Sequence, residues 1–190
     1  MSITYTNAKG RVYYLHKGQT TAGKERYYFS MNTEGSICTS IPEGYEIYEH
    51  PNAQVFLRKI PDRIILDEEK DVVESGMRIF SSLKTYKIDI RKNTIQIYTP
   101  NQDINALESI LKTISPLAAI AKQAINDAVN YSPDMQFILT DKEKRIFVAQ
   151  RYCYLGGIDD WIHIGSPDSL GALVKKYVKH LGKESFFDLY

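Results

Sequence analysis

The chain has 190 residues and carries 24 lysines and arginines against 23 aspartates and glutamates, a formal net charge of +1. That length suffices for one domain, or for a small module joined to a larger one, with a real hydrophobic core in either case. A charge this close to zero excludes a global attraction to nucleic acid or to an anionic membrane, so any binding of a polyanion has to come from a local patch.

Residues 1–9 lack the apolar run of a signal peptide, and no segment approaches the length of a membrane span. The expected location is the cytoplasm, with no membrane partner. Cys38 and Cys153 stand far apart with no Cys-x-x-Cys spacing, so both read as buried, reduced thiols rather than as a disulfide or a thiolate metal site.

From residue 11 to residue 60 the sequence is short apolar or aromatic runs, at 12–16, 26–31, 37–38, 45–48 and 54–59. Between them lie the turn clusters Asn32-Thr33-Glu34-Gly35, Pro42-Glu43-Gly44 and His50-Pro51-Asn52. This rhythm predicts a small β-module over residues 1–61. Within it, Gly18-Gln19-Thr20-Thr21-Ala22-Gly23-Lys24 spells most of a phosphate-binding loop. Such a loop needs a helix after its lysine, to point free N–H groups at the phosphates, and a hydroxyl to hold magnesium. Here Glu25 takes the hydroxyl's place and the strand-forming run Arg26-Tyr27-Tyr28-Phe29-Ser30 follows, so the loop is expected to be the tip of a β-hairpin.

The rhythm changes around Pro61-Asp62-Arg63, and residues 62–190 read as an α+β domain, the two parts also being able to form one continuous compact unit. Asp67 is expected to cap a helix whose first turn carries Glu68 and Glu69, with Val73, Met77 and Phe80 on one face. Tyr86, Ile88 and Ile90 alternate with Lys87, Asp89 and Arg91, and Ile95 and Ile97 follow, which predicts an antiparallel hairpin with one buried face. Ile104, Leu107, Leu111, Ile114, Ala118, Ala121, Ile125 and Val129 recur at helical spacing, in one kinked helix or in two divided at Ser115-Pro116. Residues 135–140 and 145–155 predict a second hairpin around the charged tip 141–144, and Gly156-Gly157 leads into a strand at 161–164 that extends the same sheet. Ser166-Pro167-Asp168 is expected to start a last helix, with Leu170, Leu173, Val174, Tyr177, Val178 and Leu181 on its inner face and Gly182 at its end. The fold class is therefore α+β, a small amino-terminal β-module followed by an antiparallel sheet packed with helices.

Among residues that carry chemistry, Arg11, Lys17, Lys24 and Arg26 are interleaved with Tyr13, Tyr14, Tyr27 and Tyr28. Cations that neutralise phosphates and rings that stack on bases are what a single-stranded nucleic acid needs. The plainer account is that alternate rings of the hairpin are buried. A second basic face is formed by Lys175, Lys176, Lys179 and Lys183, although positive charge is favourable near any helix C-terminus. Asp159, Asp160 and His163 are the most enzyme-like group and the basis of an alternative reading, a metal-assisted hydrolase. Strand alternation sets Asp160 opposite Asp159 and His163, and a turn role after two glycines accounts for the aspartates. His16, Cys38 and His50 match no strong ligand spacing, and neither a metal nor a cofactor is predicted. The apolar terminus, with Phe186, Phe187 and Tyr190, either folds back on its own core as a short helix or docks on a protein partner or a second copy, which would make the chain a structural subunit. The expectation that follows is a non-catalytic binding module or complex subunit, more a binder than an enzyme, with single-stranded nucleic acid as the ligand of the basic hairpin.

Overall fold

The computed structural model describes residues 2–104, 106, 107, 109, 123–125, 127–155 and 157–190, leaving aside the side chain of Leu155. Strand is the predominant regular structure among them, in antiparallel sheets accompanied by helices. The chain divides into two compact units, one from Met1–Ile60 and Ile104–Val129, the other from Pro61–Asp103 and Asn130–Tyr190.

In the first unit, β1 (Thr4–Thr6), β2 (Val12–Gln19) and β3 (Glu25–Ser30) form an antiparallel sheet in the order β1-β2-β3, and β4 (Tyr45–Glu49) pairs with β5 (Val55–Lys59). Four of the five predicted runs are strands, and the fifth contributes the isolated bridge between Ile37 and His16. Strand β1 has no apolar alternation to announce it. It is fixed from outside, by Tyr5 Oη donating to Glu49 at 2.8 Å and, just beyond the strand, by Asn7 Nδ2 donating to the Ala53 carbonyl at 2.7 Å. The glycine-rich loop is a hairpin tip: the Thr20 N–H donates to the Lys24 carbonyl and the Gly23 N–H to the Thr20 carbonyl, both at 2.8 Å. Gly23 adopts a φ of +74° there, and a strand, not a helix, follows Lys24. Cys38, expected to be buried, is partly exposed, whereas Cys153 is buried. Of the predicted central helix, residues 104, 106, 107, 109, 123–125, 127 and 128 are helical, with the Val129 N–H donating to the Ile125 carbonyl at 2.9 Å. Leu111, Ile114, Ser115, Pro116, Ala118 and Ala121 lie outside the described residues.

The second unit is built on a five-stranded antiparallel sheet of β6 (Lys87–Arg91), β7 (Thr94–Pro100), β8 (Tyr131–Asp141), β9 (Ile146–Leu155) and β10 (Ile158–Ser169), in the order β10-β9-β8-β7-β6. Alternation sends Ile95, Ile97, Met135, Phe137, Ala149 and Ile164 into one core with Val73 and Met77 of α1 (Asp67–Phe80) and Leu173, Val174 and Tyr177 of α2 (Leu170–Tyr177). Short 3-10 turns follow at Val178–His180 and Glu184–Phe186.

Three expectations are corrected here. Helix α1 is capped not by Asp67, which is its first residue, but at Leu66, whose N–H donates to the Glu69 carboxylate at 2.9 Å. Phe80, expected on the inner face, stays 37% exposed at the helix end. Ser166-Pro167-Asp168 starts no helix: after a bulge at 164–168 the ladder resumes with Asp168 opposite Phe147 and Ser169 opposite Ile146, and only then does α2 begin. A bulge tolerates proline, because it needs no N–H from that residue, and it delays the helix by the length of the detour.

Candidate functional site

The basic hairpin sorts its residues by strand register. Lys17 stands opposite Tyr27, His16 opposite Tyr28 and Gly18 opposite Arg26. Directly opposed residues share a face, so Tyr13, Lys17 and Tyr27 lie on one side, and Tyr14, Tyr28 and Arg26 on the other. On the first side Lys17 pairs with Glu25 at 2.5 Å, Tyr27 Oη donates to the same carboxylate at 3.0 Å, and the Tyr27 ring meets Tyr45 of β4 at 6.4 Å between centroids. The Lys17 hydrogen bond, followed by that of Tyr27, holds the Glu25 carboxyl below its ordinary range. Arg11, before β2, reaches Asp127 at 4.0 Å.

The second side is different. Lys24 at the tip and Arg26 have no carboxylate within ion-pair distance among the described residues. The Arg26 guanidinium lies 5.8 Å from the centre of the Tyr28 ring, which is 42% exposed. Tyr28 is in turn stacked on buried His16, with centroids 5.4 Å apart and planes 15° from parallel. The His16 Nε2 is 2.9 Å from the Asn32 carbonyl, so it carries the proton and donates, and the imidazole is a fixed backing for the ring. Arg26 and Tyr28 stand on β3, an edge strand, and His16 on the neighbouring β2.

The enzyme-like group does not converge. Asp159 accepts from Tyr152 Oη at 2.5 Å and Asp160 from the Trp161 N–H at 2.7 Å. His163 shares a face with Asp159 but lies four residues away, about 13 Å along an extended strand. Its Nε2 accepts from Gln150 Nε2 at 3.0 Å. That bond ends a row that the sequence does not announce: Gln96 Nε2 donates to Gln136 at 2.8 Å, and Gln136 Nε2 to Gln150 at 2.6 Å. Cross-strand register places these side chains side by side, and each glutamine both donates and accepts. The predicted hairpin with a single buried face is corrected by this row, because Gln96 and Tyr98 are as buried as Ile95 and Ile97. The only signal for it is glutamine in the phase opposite to the apolar residues of β7, β8 and β9. Among the described residues no three His, Cys, Asp or Glu side chains are grouped to hold a metal ion, His16, Cys38 and His50 included.

No protein-family model, no curated protein and no solved structure matches the chain.

The remaining candidates lie in the second unit. Lys175, Lys176, Lys179 and Lys183 are all exposed, and Lys176 Nζ sits 5.0 Å above the Tyr177 ring. The terminus turns back, with Phe186 buried in its own core while Phe187 and Tyr190 stay 66% and 86% exposed. Between this terminus and the strand ends lies a cavity of about 640 Å³, bounded by Asp134, Arg151, Cys153, Phe186 and Phe187 among others. Arg151 does not stand out in the sequence. Burial raises the Asp134 carboxyl above its ordinary range, opposed by the hydrogen bond from the Thr99 hydroxyl.

A carboxyl raised in the folded state binds its proton more tightly there than in the unfolded chain, so its contribution is fully present below the unfolded value and is lost as pH rises through the folded one. Replacing Asp134→Asn is therefore expected to remove part of the loss of stability between acid and neutral pH. Urea unfolding of both proteins at pH 3.5 and 7 checks it, and an equal loss in both would show that this carboxyl does not contribute.

Proposed function

We propose that the chain is a cytoplasmic, non-catalytic binding module of α+β build, a small amino-terminal β-module followed by an antiparallel sheet packed with helices, and that it binds single-stranded nucleic acid on the side of the β2–β3 hairpin that carries Arg26 and Tyr28. The observation that carries this reading is the Arg26 guanidinium beside the exposed Tyr28 ring that His16 backs, with Lys24 a second unneutralised cation at the tip of the same hairpin. Cations without carboxylate partners release counterions when they meet phosphate, and a ring held from behind offers its other face to a base with little ordering cost. The reading narrows the surface expected from sequence to one side, because Lys17 and Tyr27 are engaged by Glu25.

Fluorescence anisotropy with labelled oligothymidine at two salt concentrations tests it. Tyr28→Ala is expected to weaken binding by about 1–3 kcal/mol and Tyr28→Phe to leave it intact. The double replacement Lys24→Ala with Arg26→Ala is expected to reduce the salt dependence of log K by about 1.4, at roughly 0.7 for each phosphate no longer neutralised. Unchanged affinity and salt slope in both variants would end this reading, whereas Lys175→Ala with Lys176→Ala serves as the control that leaves binding unaltered.

A further inference from the structure

The row of core-facing side chains Ile97, Met135, Arg151 and Ile162 runs in register across β7 to β10, and one member is a cation. Arg151 is only 5% exposed. Its Nε donates to the Leu189 carbonyl at 2.9 Å and one terminal nitrogen to the Phe187 carbonyl at 3.0 Å. Those bonds use two of five N–H groups and supply no charge, and no carboxylate lies within ion-pair distance among the described residues. A guanidinium stays charged at any accessible pH, and a buried charge without a counter-ion is costly.

The same Arg151 lines the cavity of about 640 Å³, a volume in the range of small-molecule sites. Phe186, Phe187, Pro100 and Cys153 give that cavity apolar walls. Two acids line it, Asp134, which accepts from the Thr99 hydroxyl, and Glu184, and neither lies within ion-pair distance of Arg151.

We propose that this cavity binds a small organic carboxylate with an apolar body, the carboxylate meeting the remaining N–H groups of Arg151 and the body lying against Phe186 and Phe187. A carboxylate matches a guanidinium fork and brings Arg151 a counter-ion at ion-pair distance, which neither acid of the lining does. The proposal is independent of the hairpin, which belongs to the other unit.

Isothermal titration calorimetry of the full chain with octanoate and with 1-octanol tests it, since the two share the apolar body and differ in the charge. Octanoate is expected to bind at least tenfold more tightly than octanol at neutral pH. Phe187→Ala, at an exposed position, is expected to weaken octanoate several-fold. Arg151→Met is expected to abolish the preference for octanoate; where circular dichroism shows that this variant does not fold, the comparison of the two ligands on the unaltered protein decides. Equal affinities, no binding of octanoate, or octanoate affinity unchanged by Phe187→Ala would overturn the proposal. Retention of octanoate binding by the Lys24→Ala and Arg26→Ala variant separates this site from the hairpin.

Discussion

Replacing Glu69→Ala is expected to destabilise the protein by about 2–4 kcal/mol, below the top of the range for breaking a buried ion pair because Arg145 retains some solvent. The carboxylate does three things at once. It accepts two bonds from Arg145, at 2.8 and 2.5 Å, and it accepts the Leu66 N–H that opens helix α1. Arg145 also donates to the Ile64 carbonyl at 3.2 Å, and it sits at a φ of +51°, a conformation that non-glycine residues adopt at some cost. Removing Glu69 thus frees a helix end and leaves a guanidinium without its anion. The control is Glu74→Ala, whose exposed partner Lys70 lies one turn away at 3.1 Å and whose loss is expected to cost about 0.5 kcal/mol or less. Urea midpoints at unchanged slope measure both, and similar small losses for Glu69 and Glu74 would refute the role given to the pair. Glu69→Met with Arg145→Met is expected to recover part of the loss, since an apolar pair leaves no charge unmatched.

The same pair marks where sequence stops being informative. Glu69 is legible as a favourable charge in a first helical turn, but its partner lies 76 positions away at the end of a hairpin. Local features are legible: Leu170, Leu173, Val174, Tyr177, Val178 and Leu181 all turn inward as their spacing implies, and Gly182 ends the segment at a φ of +74°. The tip at residues 141–144 is likewise a turn, with Asp141 accepting from the backbone of Glu143 and Lys144. Strand positions follow from turn chemistry and alternation, but cross-strand neighbours depend on register, which a one-residue slip inverts. For that reason the hairpin reads as one patch of cations and rings, although pairing Lys17 with Tyr27 divides it between two sides. Arg151 is hidden in the sequence for a related reason. A lone arginine in a predicted strand reads as solvent-facing, and only the return of the carboxyl terminus supplies the carbonyls that let it be buried.

Gly76→Ala is expected to reverse the usual effect of that substitution. In the middle of a helix, alanine is normally better than glycine by about 1 kcal/mol, because it restricts the unfolded chain and protects the backbone. At Gly76 a Cβ would lie 2.0 Å from Val174 Cγ1, where α1 meets α2. Valine in a helix has essentially one side-chain rotamer, so Val174 has no other direction in which to turn and the helices must part. Overpacking of this kind costs about 1–3 kcal/mol, so the variant is expected to lose stability despite its better propensity. Gly171, also helical, has open space around its Cα, and Gly171→Ala is expected to stabilise by up to about 1 kcal/mol. The opposite signs separate close approach from propensity. Adding Val174→Ala to Gly76→Ala removes the clash, and the new methyl occupies part of the space that valine leaves. The two substitutions are therefore expected to couple by at least about 1 kcal/mol in the favourable direction. Additive losses in that cycle, or a stabilising Gly76→Ala, would mean that the two helices have room to spare at their closest approach.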